Sequence, residues 1–368
     1  MLRRTFLKTA TGVALASSAR AEPAHPIRLG FDTYSLRAFH WKAIQLMEYA
    51  ASLKLDTIQI SSLDDFESLD PAHLAKVKER AGALGIVLDG GMGCICPVSY
   101  SWSPKNGDPS TNILSGLKAA KAIGATSMRC FMGSSDDRFG NAAKPPIPIA
   151  KLMESTIQVF RSVRTQAQDL GVKIALENHA GDMQAREVLT IIEEAGKDYV
   201  SSCLDTGNPM WVAEDPLAAL EILAPYVVTT HVRDSALVEH PRGAAAQWVA
   251  LGDGSIDFHQ FIDRYRVLCP NAGMQLEIIT GRPPRVVPYL EPGFWKVLPE
   301  AKASEFARFV ALVKKGHQFT GYMIVEDGFK NPPEIYTAAL REQQRIDLER
   351  SFDYAKKTLD VGVHWRHA

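Results

Sequence analysis

The chain has no apolar run approaching the ~20 residues that a bilayer-spanning helix needs, no surplus of either charge, and no glycine-rich turn behind its first β-rich segment. The first absence argues against a transmembrane span. The second is a formal net charge of −1, from 41 basic and 42 acidic side chains. It leaves no global field to draw the protein onto nucleic acid or an anionic membrane. The third bears on fold: a doubly wound nucleotide-binding sheet wants a phosphate-cradling turn after strand one, and Gly30-Phe31-Asp32 does not supply it. Gly90-Gly91-Met92-Gly93 lacks the helix that should follow, so we read it as flexibility at a strand end. Cysteine is scarce and odd in number, with five residues, whereas a disulfide framework needs an even, spaced set. Cys94 and Cys96 alternate on one strand face and read as small buried core residues.

What is present is a globular composition, 46% hydrophobic and 23% charged over 368 residues, long enough for a substantial core. The first 21 residues stand apart. Arg3-Arg4 followed by Thr5-Phe6-Leu7-Lys8 fits the twin-arginine pattern, a mildly apolar stretch follows, and Ala19-Arg20-Ala21 offers a signal-peptidase site. Pro23 and Pro26 argue against a continuous first helix. The expectation is an exported, periplasmic protein, with residues 22–368 forming one domain.

From Ile27 short β-rich runs alternate with helical ones. Strands are expected at Ile27–Tyr34, Thr57–Ser61, Ile86–Met92, Ser127–Met132, Val172–Glu177, Val200–Leu204, Val227–His231 and Met274–Ile279. Helices fall between them, including a long one over Ile149–Asp169, and a final helix covers Ala338–Lys357. Eight β-then-α units predict a (β/α)8 TIM barrel. The proline- and aromatic-rich segment 281–340 breaks this rhythm and lies between strand eight and the last helix. On that face of a barrel it should act as a lid, or as a place where a partner chain completes one in a homo-oligomer.

Four segments end an apolar run with a metal-competent side chain: Glu177, Asp205, His231 and Glu277. Their spacings are 28, 26 and 46 residues, and ligands from successive strands of a barrel, whose βα unit takes about 30 residues, recur at about this interval. Taken singly, Glu177 could cap a loop and His231 could be a satisfied core histidine. Four in register converge at one barrel mouth, and three carboxylates crowded together raise one another's pKa unless a cation is present. The oxygen-rich set suits one divalent ion, Mn²⁺ first, with Mg²⁺, Co²⁺ or Zn²⁺ as alternatives. His179, Asn208, Arg233 and Asp234 follow these ligands and should face the mouth as substrate-binding groups. Arg233 and Asp234 have an equal alternative as a loop ion pair, and His179 as a support for the metal. Trp41, Trp102, Trp211 and Trp248 come from different loops and offer faces for sugar C–H groups, although packing serves any one of them as well.

Glu177-Asn178-His179, Leu204-Asp205-Thr206-Gly207-Asn208-Pro209, His231-Val232-Arg233-Asp234 and Leu251-Gly252-Asp253-Gly254-Ser255-Ile256-Asp257 together resemble the sugar phosphate isomerase/epimerase family. This is the xylose-isomerase-like barrel group with ketose 3-epimerases, hydroxypyruvate isomerase and inosose dehydratase. The resemblance spans about residues 27–279 and the last helix. It implies that Glu177, Asp205, His231 and Glu277 bind one divalent metal, commonly Mn²⁺, and that Glu177 and Glu277 are the acid–base pair. The chain departs from the ketose 3-epimerases at Asn208, where they have a substrate-binding histidine, and at Leu237, where they have an arginine.

The expected activity is proton abstraction beside a sugar or keto-sugar carbonyl through an enediolate, leading to isomerisation or epimerisation. Expulsion of a β-substituent would instead make the protein a lyase or dehydratase, for example on a 3-keto-glycoside. Two readings of other classes are a non-catalytic sugar-binding barrel and a metal-dependent endonuclease-like hydrolase. The first has no need for two opposed glutamates. The second needs more histidines and a basic DNA-binding face.

Overall fold

The computed structural model describes residues 26–319, 321, 325–326, 328 and 330–367. The export signal expected at residues 1–21, and Tyr322 and Phe329 of the expected lid, lie outside the described residues.

The strands pair in parallel because the segments between them supply amphipathic helices that cover the outer face. β1 (Leu29–Asp32), β2 (Thr57–Gln59), β3 (Val87–Cys94), β4 (Ser127–Phe131), β5 (Lys173–Glu177), β6 (Val200–Asp205) and β7 (Val227–His231) pair consecutively. After the antiparallel hairpin β8 (Asp234–His240) and β9 (Gly243–Val249), β10 (Met274–Leu276) pairs back onto β1. The Val232 amide donates to the Gln275 carbonyl at 2.7 Å and the Glu277 amide to the Val232 carbonyl at 3.0 Å. These two bonds stitch the end of β7 to β10, so eight parallel strands make the barrel that the βα rhythm predicts.

The helices behave as their sequences direct. Pro71–Leu84 and Pro109–Ile123 open on proline and close on left-handed Gly85 and Gly124, the residues that suit these two ends. The helix expected over Ile149–Asp169 breaks at Val163, giving Ile149–Ser162 and Arg164–Leu170. β1 and β10 are shorter than expected. β1 ends at Asp32 and passes into a 3₁₀ segment, Thr33–Phe39. β10 ends at Leu276, so Glu277 stands just past the strand.

Two expectations need correction. The insertion is double: besides 281–340, the β8–β9 hairpin fills the connection from β7 to the helix Phe258–Leu268. β11 (Arg285–Val287) joins that hairpin as a third antiparallel strand. The alanines of β9 have weak strand preference, so the hairpin leaves little strand signal in the sequence. With the helix Ala303–Lys315 it encloses a second apolar cluster, including Leu237, Val287, Phe294, Phe309 and Val313. The second correction concerns Gly90 and Gly91, which are close-packing positions inside β3 and not a flexible strand end. A Cβ on Gly90 would lie 2.8 Å from that of Ala120, and one on Gly91 would lie 2.5 Å from the Ile60 carbonyl oxygen. All five cysteines are buried and unpaired with one another, as the core reading expects.

Glu214 shows what burial does to a carboxylate in this fold. It accepts the Ala185 amide at the start of the helix Ala185–Ala195 at 3.1 Å. Burial, despite that bond, pushes it up to about 8.

Two outcomes follow from these contacts. Gly91→Ala should lower the unfolding free energy by about 1–3 kcal/mol, read by urea denaturation, because backbone must shift to admit the methyl group. Between about pH 4.5 and 8 the unfolded chain has lost the Glu214 proton and the native state keeps it. Stability therefore falls with rising pH across that window. Glu214→Gln should flatten this part of the pH–stability curve, and an unchanged slope would show that Glu214 is ionised in the native protein.

Candidate metal centre at the barrel mouth

β5, β6, β7 and β10 deliver Glu177, Asp205, His231 and Glu277 to one end of the barrel. One ligand atom from each lies within 4.8 Å of the others. Glu177, Asp205 and His231 are wholly buried, and Glu277 is 4% exposed. The His231 Nδ1 atom sits 3.3 Å from Glu177 Oε1 and 3.3 Å from Glu277 Oε2. It has no hydrogen-bond partner.

The other ring nitrogen explains that orientation. His231 Nε2–H donates to Gln59 Oε1 at 2.5 Å. Gln59 Nε2 donates to Thr229 Oγ1 at 2.8 Å, and Thr229 Oγ1 donates to Asp89 Oδ2 at 3.0 Å. Every donor in this chain is directed, so Nε2 carries a proton toward Gln59 and Nδ1 faces the carboxylates. Burial opposes protonation of His231, but the neighbouring acidic groups outweigh it and raise its pKa well above the ordinary histidine value, so a divalent cation would take the place of the Nδ1 proton. A buried imidazole with its far N–H held by an acceptor is how metal-ligating histidines are oriented. The donor set therefore fits a divalent cation.

Two arginines enter the cluster. Arg129, on β4, donates Nε to Glu177 Oε2 at 2.6 Å, pairs with the same carboxylate through Nη2, and donates Nη1 to the Met92 carbonyl at 3.3 Å. Arg233 pairs with Asp205 and approaches Glu277 Oε2 at 2.7 Å through Nη2. Burial pushes the Glu177 carboxyl up, but Arg129 and then His231 outweigh it and hold it well below its usual range. Burial likewise opposes ionisation of Glu277, and Arg233 and His231 overcome it. At Asp205 burial wins over Arg233, and the group rises to about 7.

A cavity of about 450 Å³ opens above the cluster. Its lining includes Tyr34, Arg129, His179, Asn208, Arg233 and Glu277. Glu177 and Asp205 lie behind that lining. The His179 ring stacks on Phe131 at 3.9 Å, and its Nδ1–H donates to the Gly133 carbonyl at 2.6 Å. Burial keeps His179 below the ordinary histidine range. Asn208 braces the cluster, donating Nδ2 to Glu177 Oε1 at 3.1 Å and accepting from Arg233 at 3.4 Å. The Arg233 guanidinium lies 4.4 Å from the Trp248 ring centre, Trp248 stacks on Trp211 at 4.2 Å, and Arg285 covers the far face of Trp211 at 4.6 Å.

Three of the four expected substrate-facing residues thus reach the cavity. Asp234 does not. Its carboxylate accepts the amides of Ser235, Gly252, Gly254 and Ile256 at 2.8–3.3 Å, and so it ties the Gly252–Ile256 loop to the hairpin. It forms no pair with Arg233. Leu237 is buried in the hairpin cluster, away from the mouth. Arg129, Gln59, Asp32 and Asp89 were missed by sequence reasoning, yet each left a trace. Arg129 and Asp89 are charges within strand runs, and Asp32 ends β1 as the ligands end theirs. Its Oδ2 lies 3.3 Å from His231 Nε2.

Fold and site together define a (β/α)8 barrel with a metal-competent acidic cluster at its mouth. A family model described as the xylose isomerase-like TIM barrel matches residues 47–266, and the chain belongs to that family. It is 24% identical over 249 residues to a 3-oxo-isoapionate decarboxylase of Pectobacterium atrosepticum, covering 64% of this chain and 80% of the relative. Among solved structures it is similar to D-psicose 3-epimerase in the presence of D-fructose. That match has a TM-score of 0.57 and 16% identity, and covers 90% of this chain and 99% of the other. It is also similar to 3-keto-D-glucoside 4-epimerase, YcjR, from E. coli, with a TM-score of 0.55 and 16% identity over 78% and 99% of the two chains.

The directed hydrogen bonds behind His231 generate a test. Thr229→Val should weaken Mn²⁺ binding about 10- to 100-fold in a chelator competition, while Thr229→Ser, which keeps the hydroxyl, should leave it near wild type. Equal affinities in all three proteins would separate Gln59 and Asp89 from the site.

Proposed function

We propose that this protein is a divalent-metal-dependent enzyme that takes a proton from the carbon beside a sugar or keto-sugar carbonyl, with isomerisation or epimerisation as the outcome. The observation that carries this reading is the unpartnered His231 Nδ1 facing Glu177 and Glu277 beneath the cavity. A divalent ion held by these four residues, Mn²⁺ by preference, would polarise the carbonyl and acidify its neighbouring C–H. The names of the similar proteins, two sugar epimerases and a decarboxylase of a sugar-derived keto acid, support a carbohydrate substrate.

The chain's own residues divide the work unequally. Glu277 borders the cavity and is the carboxylate placed to accept the substrate proton. Glu177 has Oε2 held by Arg129 and Oε1 by Asn208, which suits anchoring better than shuttling. Arg233, with a buried Nη1 that has no partner, supplies positive charge where an enediolate oxygen would develop its negative charge. His179 presents its ring to the substrate hydroxyls.

That asymmetry favours a second reading. One carboxylate at the cavity wall suffices for aldose–ketose isomerisation, for β-elimination from a 3-keto-glycoside, or for reprotonation after loss of CO₂. Two-base epimerisation would require Glu177 to release Asn208. A lyase acting on a keto-sugar is therefore the alternative. The cluster offers one imidazole among the described residues, which serves a single ion better than the multinuclear site of a nuclease. The twin-arginine pattern of residues 1–21 supports a periplasmic location.

Free sugars, sugar phosphates and 3-keto-glycosides incubated in D₂O and followed by NMR should reveal C–H exchange in one class. Glu277→Gln should slow that exchange about 10²- to 10⁴-fold while retaining one divalent ion per chain. Wild-type exchange in Glu277→Gln would sink the assignment of the base, and two or three ions per chain would point to hydrolysis.

A further inference from the structure

The cavity over the metal centre has a neighbour on the β1–β2 side. A second hollow of about 380 Å³ shares Tyr34, Ser61 and Ser62 with it. This outer groove runs between the 3₁₀ segment after β1 and the loop after β2, away from the hairpin and the insertion. Beyond the shared residues its lining includes His40, Trp41, Lys42, Asp64 and Asp65.

The groove is held in shape by its own bonds. Thr33 Oγ1 donates to Asp65 Oδ2 at 2.6 Å and accepts the Ser61 amide at 2.8 Å, locking the two loops together. Lys42 Nζ donates to the Asp64 carbonyl at 2.6 Å. His40 adopts a left-handed backbone, with φ at 54°, turning the chain along the groove. The aromatic wall is fixed as well. Trp41 packs on Phe39 and Tyr49 with ring centres 4.5 and 5.4 Å apart, and Arg37 covers Tyr34 at 4.7 Å.

The chemistry of that lining selects a ligand class. Arg37 and Lys42 are matched in number by Asp64 and Asp65, so the groove offers no excess positive charge for a phosphate or a carboxylate. Hydroxyl groups, carboxylate acceptors and aromatic edges in one trough suit a neutral polyhydroxylated group. Inner cavity and groove together approach the upper part of the roughly 300–1,000 Å³ range of small-molecule sites, more than one sugar ring fills.

We propose that the substrate is a neutral glycoside of at least two units, its reacting sugar over Glu277 and its second unit in the groove lined by Tyr34, His40, Lys42 and Asp64. This inference rests on the proposed function for the identity of the inner site, and the groove adds the substrate's length and lack of charge.

Cellobiose, maltose and 3-keto-cellobiose, with glucose, 3-keto-glucose and glucose 6-phosphate as references, can be titrated calorimetrically into the Mn²⁺-treated full-length protein. At least one disaccharide should bind ten-fold or more tightly than its single-ring reference. Asp64→Ala and Lys42→Ala should each erase most of that advantage and leave single-ring affinity unchanged. Equal affinity for one and two rings, tighter binding of glucose 6-phosphate, or no sugar binding would overturn the proposal. A disaccharide preference in protein that takes up no Mn²⁺ would uphold the groove and overturn the metal reading instead.

Discussion

Three carboxylates and an imidazole share a buried space at the barrel mouth, and most of the surrounding structure answers the charge gathered there. Desolvation disfavours every ionised group there, yet Glu177 and Glu277 are held ionised while Asp205 is pushed up. The difference lies in the neighbours. Arg129 grips Glu177 with two nitrogens and Arg233 lies against both Asp205 and Glu277. Buried pairs of this kind contribute little net stability against apolar replacements. Their cost is better understood as that of a preorganised field, which a water-filled cleft could not maintain.

The same constraint reaches down into the barrel. A core filled with branched apolar side chains could not fix the His231 ring, because it would leave Nε2–H without an acceptor. Here Gln59, Thr229 and Asp89 form a polar column, and Gln275 joins it by donating to Asp89 Oδ2 at 3.1 Å and to Thr57 Oγ1 at 2.8 Å. Strands β2, β3, β7 and β10 are thus joined through their inward side chains as well as their backbones. Such a column gives up apolar burial in the barrel centre for the orientation of one imidazole at its mouth. Close packing around β3 accompanies the column: Gly91 admits the Ile60 backbone and Gly90 admits Ala120 of the helix Pro109–Ile123.

The barrel and the four-residue cluster were legible because each depends on a pattern that survives in one dimension. A βα rhythm repeats, and the last residue of a parallel strand must point into the mouth. What escaped detection depends on pairing across the fold. The β8–β9 hairpin carries Ala244-Ala245-Ala246, which has weak strand preference, and becomes a strand pair because β11 and the insertion helices cover it. Asp234 follows a ligand by three positions and looks like a site residue, yet the turn at Gly252–Ile256 claims both its oxygens. Arg129 sits in an otherwise apolar run, where its charge signals a buried partner, but that partner lies 48 positions away on the next strand.

The inequality between Glu177 and Glu277 follows from where their strands end. β5 pairs with β4 through Phe131 and Glu177, and Arg129 lies two residues earlier on the same face of β4. A guanidinium from that register reaches the neighbouring strand's terminal carboxylate, so Glu177 is captured by its own sheet. β10 is only three residues long, and Glu277 falls beyond it, anchored by its amide to Val232 with its side chain at the cavity wall. Glu277 therefore meets the cavity with Arg233 against its Oε2, whereas Glu177 is held behind the lining by the adjacent strand. Opposed glutamates on a barrel need not be equivalent bases, and the register of β4 against β5 fixes which of the two is withdrawn from the cavity.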